Sequence, residues 1–215
     1  MLKNLTKEIF EQEIVFLSDA GMPCFCDPGA KLLQYALDNN IPFDFLPGAN
    51  AASLSACLSG QPQDIKTQNF SDSHFIFGSF LPHKQNNRKS TLVNFKNASA
   101  QIGSRVIFYE SKHRILDSLK DIAELDPSAH IIALKELTKM HQKRFSGNAL
   151  SLLDELKNAN LNGEWVLIIY FTPKDSKTLN INDINSLNLP PKIKAKLLSK
   201  LSDLSTKQIY ENMHE

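Results

Sequence analysis

Short apolar runs alternate with amphipathic segments from residue 2 to residue 60, and that order constrains the fold more than any single motif. Residues 2–12 (LKNLTKEIFEQ) place Leu2, Leu5, Ile9 and Phe10 at helical spacing. Residues 14–17 (IVFL) are a brief run of buried-strand type, ending in the turn-forming SDAG. A loop through Cys26, Asp27, Pro28 and Gly29 leads into a helix over 30–39, then a second strand at 43–46 and Pro47-Gly48. The small-residue helix ANAASLSACLSG follows and closes at Gly60. Strand, loop and helix, repeated, is the rhythm of an α/β layer on a parallel sheet.

The second half repeats the pattern with new elements. Strands are predicted at 75–77, 105–109, 130–134 and 164–171, the last strongly apolar (EWVLIIYF). Helices are predicted near 88–98, 113–123 and 148–157, and residues 82–90 (PHKQNNRKS) form a polar, basic loop. Residues 172–181 are polar and unpatterned, a linker by composition. Beyond them lie two short helices around an LSDLS turn, within 183–214. The domains expected are an N-terminal α/β domain over 1–72, a second over 73–174, and a linker with a helical appendage over 175–215.

Composition narrows the function classes. At 42% apolar and 22% charged, the chain of 215 residues can bury a core, so disorder is not the first expectation. Net charge is +1, so a polyanion would have to be held by local basic patches rather than by an overall field. Cys24, Cys26 and Cys57 fit neither a disulfide framework nor a zinc site and read as reduced thiols. The N-terminus carries acidic residues where a signal peptide would be apolar, so a cytoplasmic protein is expected. No GxGxxG, P-loop or HExxH pattern is present, which disfavours a Rossmann dinucleotide site, an ATPase and a zinc protease.

The loops carry what chemistry can be read. SDAG at 18–21 follows a predicted strand, at the end where open α/β sheets gather ligands; Asp19 offers a polar contact and Gly21 a close backbone approach. Pro47-Gly48 repeats the arrangement, and Ala49, Asn50, Ala51 and Ala52 leave room for a bulky group. Each loop alone reads as an ordinary turn or tight packing, and the pair together points to a shared pocket. Strand ends at FYES (108–111) and KELTK (135–139) bring charged groups to one edge of a sheet, either as a site or as surface ion pairs.

Six segments then occur in order: LSDAGMPCFCDPG, FLPGANAA, GSFLPHK, FYESKHRI, ALKELTK and GEWVLII. Together they resemble the tetrapyrrole methylase superfamily, within it the branch that methylates the ribose 2′-hydroxyl of a cytidine in small-subunit (16S) rRNA. The resemblance covers about residues 13–170. Porphyrin-precursor enzymes of the superfamily usually carry a GGDP-like loop where this chain has Asp19-Ala20-Gly21-Met22-Pro23.

The resemblance implies two α/β domains with S-adenosylmethionine folded between them. Asp19, Ala20, Gly21, Asn50 and Ala51 would line the cofactor from one domain, and Glu110 with the backbone around Leu134 and Lys135 from the other. Lys84, Arg88, Lys89, Lys112, His113, Arg114 and Lys139 would face RNA phosphate, with Lys192, Lys194, Lys196 and Lys200 as an auxiliary grip. Glu110 or Lys135 is the candidate base for the poorly acidic hydroxyl. No metal is implied, and the partners implied are small-subunit rRNA or the 30S particle and a second copy of the chain. The resemblance also implies a strand, a Pro/Gly loop and a helix ahead of residue 1. Weakened or absent cofactor binding and an unpaired sheet edge, open to dimerisation or strand exchange, are therefore expected of these residues alone. A methylase acting on a small tetrapyrrole and a non-catalytic RNA-binding remnant are the alternatives.

Overall fold

The computed structural model describes residues 7–19, 21–60, 74–172, 181–202 and 204–213. The chain divides into two compact units, 1–172 and 173–215. The expected domain boundary at 72/73 lies in residues 61–73 and most of the expected linker in 173–180, outside the described residues.

The first unit opens with a 3₁₀ turn, Lys7–Glu11, inside the predicted helix 2–12, and continues with α1 (Ala30–Asp38) and α2 (Ala51–Ser59). Then come β1 (Phe75–Phe80), α3 (Gln85–Ile102), β2 (Arg105–Ser111), α4 (Ile115–Leu125), β3 (His130–Lys135), β4 (Lys143–Asn148), α5 (Ala149–Leu156) and β5 (Glu164–Tyr170). The strands form one sheet in the order β1-β2-β5-β3-β4. Only β1 and β2 pair in parallel; β5 runs antiparallel to both of its neighbours, β2 and β3, and β4 is antiparallel to β3. The carboxyl ends of β1, β2 and β3 therefore share one edge with the start of β5, where Ser111 pairs with Glu164 and Lys135 with Trp165.

The central position of β5 explains its unbroken apolar run. Side chains alternate across a strand, and Trp165, Leu167 and Ile169 enter one core while Val166, Ile168 and Tyr170 enter another. Both faces are covered, so every position is apolar. The first core receives α4 and α5: Ile115, Leu119 and Ile122 recur at helical spacing and are fully buried. Burying a large apolar side chain stabilises by about 1.5–3 kcal/mol, so this face carries most of the unit's stability.

The second core is covered by α2, whose small residues Ala52 and Ala56 let its backbone approach the sheet. Polar tethers hold it along its length. The Ala52 amide donates to the Tyr109 hydroxyl at 3.0 Å, Arg105 Nη2 donates to the Ala56 carbonyl at 3.2 Å, and the Tyr170 hydroxyl donates to the Gly60 carbonyl at 2.7 Å. Tyr109 lies near the carboxyl end of β2 and Arg105 at its start, so the N-terminus of α2 points to the edge where the strand ends converge.

The strands predicted at 14–17 and 43–46 do not form. No ladder bonds reach these residues from the described chain, and Val15, Leu17 and Leu46 are 79%, 79% and 82% exposed. An apolar run becomes a strand only when a neighbour supplies backbone partners, and among the described residues none does. β4 (KRFSGN) was not expected; it is a half-exposed edge strand without an apolar run. In the second unit three short helices, α6 (Ile181–Ser186), α7 (Pro191–Leu198) and α8 (Thr206–Asn212), replace the two expected. Ile184, Ala195, Leu198 and Ile209 make its core, and a capping box between Ser205 and Gln208 starts α8.

Candidate functional site at the carboxyl edge of the sheet

On the α2 face of this edge two glycine loops meet. Gly21 has φ 75, and a Cβ on it would stand 3.2 Å from the Ala49 carbonyl oxygen; a Cβ on Gly48 would stand 3.1 Å from the Gly21 oxygen. The loops expected to share a pocket are thus in contact, backbone to backbone. Asp19 is exposed in the first loop, and Ala20 lies outside the described residues. Asn50 caps α2, its Oδ1 accepting from the Ser53 amide at 2.9 Å, and Ala51 opens the helix.

Tyr109 sits where these parts converge, and the sequence reading had not singled it out. Its ring takes the edges of Phe77 and Phe80 at centroid distances of 4.9 and 5.4 Å, and Phe25 stacks on Phe77 at 5.0 Å. Burial raises the phenol pKa, against the lowering effect of the Ala52 amide, with Cys26 and Glu164 adding to the rise. Since the hydroxyl accepts from Ala52, its proton is directed elsewhere. Cys26 Sγ lies 3.1 Å from Ser79 Oγ, so the 22–29 loop reaches the bulge that interrupts β1. Leu134 lies on this same face, in the core beneath α2.

Glu110 and Lys135 reach the same edge on the opposite face, beside α4 and Trp165. Glu110 is 2% exposed; its Oε1 accepts from Arg114 Nη2 at 2.8 Å and the Ser111 amide at 2.7 Å, and its Oε2 accepts from Ser118 Oγ at 2.5 Å. Lys135 Nζ donates to the Asn160 carbonyl at 2.5 Å and lies 5.8 Å from the centre of the Trp165 ring. The structure therefore does not bring them together with Asn50, Ala51 and Leu134, and both are occupied.

The cations expected to face RNA divide into two groups. Arg88 is buried, with Nε 2.7 Å from Asp121 Oδ2 and Nη1 on the His83 carbonyl at 3.2 Å. Lys89 pairs with Glu124 at 2.6 Å, which raises its pKa. Lys139 bridges Glu164 at 2.9 Å and Glu136 at 3.1 Å; those carboxylates raise its pKa, the Glu164 bond most. Glu136 is lowered, chiefly by the Glu164 amide and then by Lys139. By contrast Lys84, Lys112 and His113 are exposed. Lys112 donates only to the neutral Asn162 side chain, at 3.0 Å. Arg114 lies between the groups, bound to Glu110 on one side and against the His83 ring on the other.

Among the described residues no helix is long and apolar enough to cross a membrane. The profile of the Tetrapyrrole (Corrin/Porphyrin) Methylases matches residues 2–152. The chain is 37% identical over 211 residues to Ribosomal RNA small subunit methyltransferase I of Helicobacter pylori (strain J99), covering 97% of this chain and 70% of that protein. It is 39% identical over 200 residues to the protein of the same name from Campylobacter fetus, covering 93% and 69%. In fold it is similar to a cobalamin biosynthetic enzyme, cobalt precorrin-4 methyltransferase, with a TM-score of 0.50 at 10% identity, covering 69% of this chain and 60% of that one. With the profile spanning most of the first unit and these relatives matched almost end to end on this chain, the chain belongs to the tetrapyrrole methylase family.

Proposed function

We propose that the chain transfers a methyl group from S-adenosylmethionine to the ribose 2′-hydroxyl of a cytidine in small-subunit rRNA. One observation carries the reading from the structure: glycine loops, an aromatic wall and a helix N-terminus converge at the sheet edge from which unpaired cations also project. The names of its relatives supply the substrate class. A 30S particle as the substrate form, a cytoplasmic location and a homodimer are the finer parts of the same proposal.

The residues fit the cofactor by chemistry. An adenosyl sulfonium needs flat apolar faces, electron-rich ring surfaces near its cation, and polar groups for its hydroxyls and amino acid end. Phe25, Phe77, Phe80 and Tyr109 supply the faces, and the Tyr109 hydroxyl and the backbone of the Gly21 and Gly48 loops supply polar contacts. When bound, the cofactor provides an activated methyl group. The protein's part is to hold the hydroxyl in line with it and keep water out, and alignment of this kind can remove about 7–11 kcal/mol of barrier. Glu110 and Lys135 support this machinery from behind the sheet, each fixing a neighbour rather than meeting the substrate.

The test uses the purified chain, S-adenosylmethionine carrying a labelled methyl group, and 30S particles from cells lacking the modification. Label recovered as 2′-O-methylcytidine is the expected result. Label passing to a porphyrin precursor and not to rRNA would replace the reading with a tetrapyrrole methylase. RNA binding with no cofactor binding and no turnover would leave only an RNA-binding module.

A further inference from the structure

Resting on that reading, we propose that Arg114 is the fixed phosphate anchor of the RNA face and that Glu110 is its positioning residue. The cations at this edge do not share one fate. Arg88 spends its Nε and Nη1 on Asp121 and backbone carbonyls, with a side chain 5% exposed. Lys89 and Lys139 are neutralised by carboxylates. Arg114 alone combines a rigid mount with donors left over. Its side chain is 15% exposed, and its buried Nε has no hydrogen-bond partner.

The mount is built from the first turns of α4. Ser118, one turn beyond Arg114 in α4, fixes Glu110 Oε2, and the Ser111 amide fixes Oε1. A carboxylate held by these two donors does not follow the guanidinium about; the guanidinium follows it, through the 2.8 Å bond to Nη2. A guanidinium has five N–H donors in one plane, and Glu110 takes one of them.

On the outward side Nη1 lies 2.9 and 3.1 Å from the two ring nitrogens of His83, so it rests against the ring rather than on a single lone pair. His83 is exposed, on the segment between β1 and α3, and is a replaceable cover. The turn that leads into Arg114, closed by its amide on the Ser111 carbonyl, holds a second buried donor without a partner, Ser111 Oγ. A phosphate in place of the His83 ring would accept from the planar guanidinium fork, which matches tetrahedral oxyanions better than an ammonium does. Lys84 and Lys112 are exposed around it and add charge that the buried groups do not cancel, with the exposed His113 ring beside them. The anchor thus places one phosphate while the looser cations attract the strand.

The test measures binding of a fluorescein-labelled small-subunit rRNA fragment to the whole chain across a potassium chloride series. S-adenosylmethionine affinity and the kinetics of 30S methylation are measured on the same samples. Arg114→Ala is expected to weaken RNA binding about tenfold and to flatten the log affinity against log salt slope by about one ion. KM for 30S should rise, with kcat at saturation and cofactor affinity unchanged. Arg114→Lys keeps the charge and the ion pair, so it guards against misfolding; its slope should match wild type while affinity drops several-fold from loss of the fork. Glu110→Gln should show the Arg114→Ala phenotype in weaker form, because the amide retains the mount but not the charge that holds the guanidinium. Wild-type RNA affinity in a folded Arg114→Ala or in Arg114→Lys overturns the proposal, as does loss of cofactor affinity in either. If the unmutated chain fails to methylate 30S, the functional reading itself fails, and this proposal falls with it.

Discussion

Replacing Arg88 separates a structural ion pair from an RNA contact, because the two roles respond to different measurements. Asp121 is fully buried in its side chain and receives Arg88 Nε at 2.7 Å. Removing one partner of a buried pair leaves an uncompensated charge and costs about 3–5 kcal/mol. The lower end applies here, since Gln85 Nε2 remains 3.0 Å from Asp121 Oδ1 and Lys89 Nζ 3.8 Å from the same atom. For a unit of this size each kcal/mol lowers the melting temperature by about 2–4 °C, so Arg88→Ala should melt about 6–12 °C below wild type. The double variant Arg88→Met/Asp121→Leu should recover much of that loss, because an apolar pair of similar volume leaves no charge behind. Circular dichroism melts of wild type, Arg88→Met, Asp121→Leu and the double give the four values needed for the cycle. RNA affinity, measured well below each melting point, should keep the wild-type salt slope. An Arg88→Ala protein that melts normally but loses one ion from that slope would refute the structural assignment and return Arg88 to the RNA face.

Three further outcomes follow from other contacts. Tyr109→Phe removes the acceptor for the Ala52 amide and should cost about 1 kcal/mol with a clear loss of cofactor affinity by calorimetry. Burial raises the Tyr109 pKa above its ordinary 10.0, so its contribution is complete below that value and is lost as pH rises through the folded-state pKa. Wild type should therefore lose stability at alkaline pH more steeply than Tyr109→Phe. Glu136 is held below its ordinary 4.5 by the Glu164 amide and Lys139, so its stabilisation is present above that value and lost as pH falls through its folded-state pKa. Glu136→Gln should accordingly flatten the acid limb of a stability profile; an unchanged limb would show the bond contributes nothing. Gly78→Ala would put a Cβ 2.1 Å from Phe108 Cε1, in a ring that is fully buried, and should destabilise by about 1–3 kcal/mol in urea titration.

What the sequence disclosed depended on whether the signal was local. β5, β2 and β3 were legible because burial on both faces makes their residues almost uniformly apolar. The runs at 14–17 and 43–46 carry the same local signal, yet strand formation is a relation between segments, and no described residue pairs with them. β4 was invisible because an edge strand facing water needs no apolar run. The meeting of the Gly21 and Gly48 loops was foreshadowed by their small residues. Tyr109 was not, since a tyrosine in RVIFYES reads as another core residue until the helix it tethers is placed. The side chains of Leu134 and Lys135, neighbours on a strand, point to opposite faces, while the backbone between them stays at the edge itself.

The division of charges was not legible at all, and the reason bears on how this edge works. Asp121, which neutralises Arg88, comes from another helix, as does Glu124 for Lys89, so no spacing rule reveals either pairing. Folding therefore sorts a uniformly basic-looking set of loops into mounted, cancelled and loose cations. The same edge holds the strained backbone. Ser79, Glu136 and Thr138 have φ of 58, 52 and 65, and Cys26, which touches Ser79, has φ 59, conformations that non-glycine residues rarely adopt. Such conformations cost of order 1–3 kcal/mol each and persist only where the surroundings fix them. Here Ser79 is fixed by the bulge against β2, and Glu136 by its bonds with the Glu164 backbone. Stability supplied by the α4 and α5 face thus sustains strain at the carboxyl ends of the same strands. The strained rim and the sorted cations thus lie at one edge, fixed by the same strands.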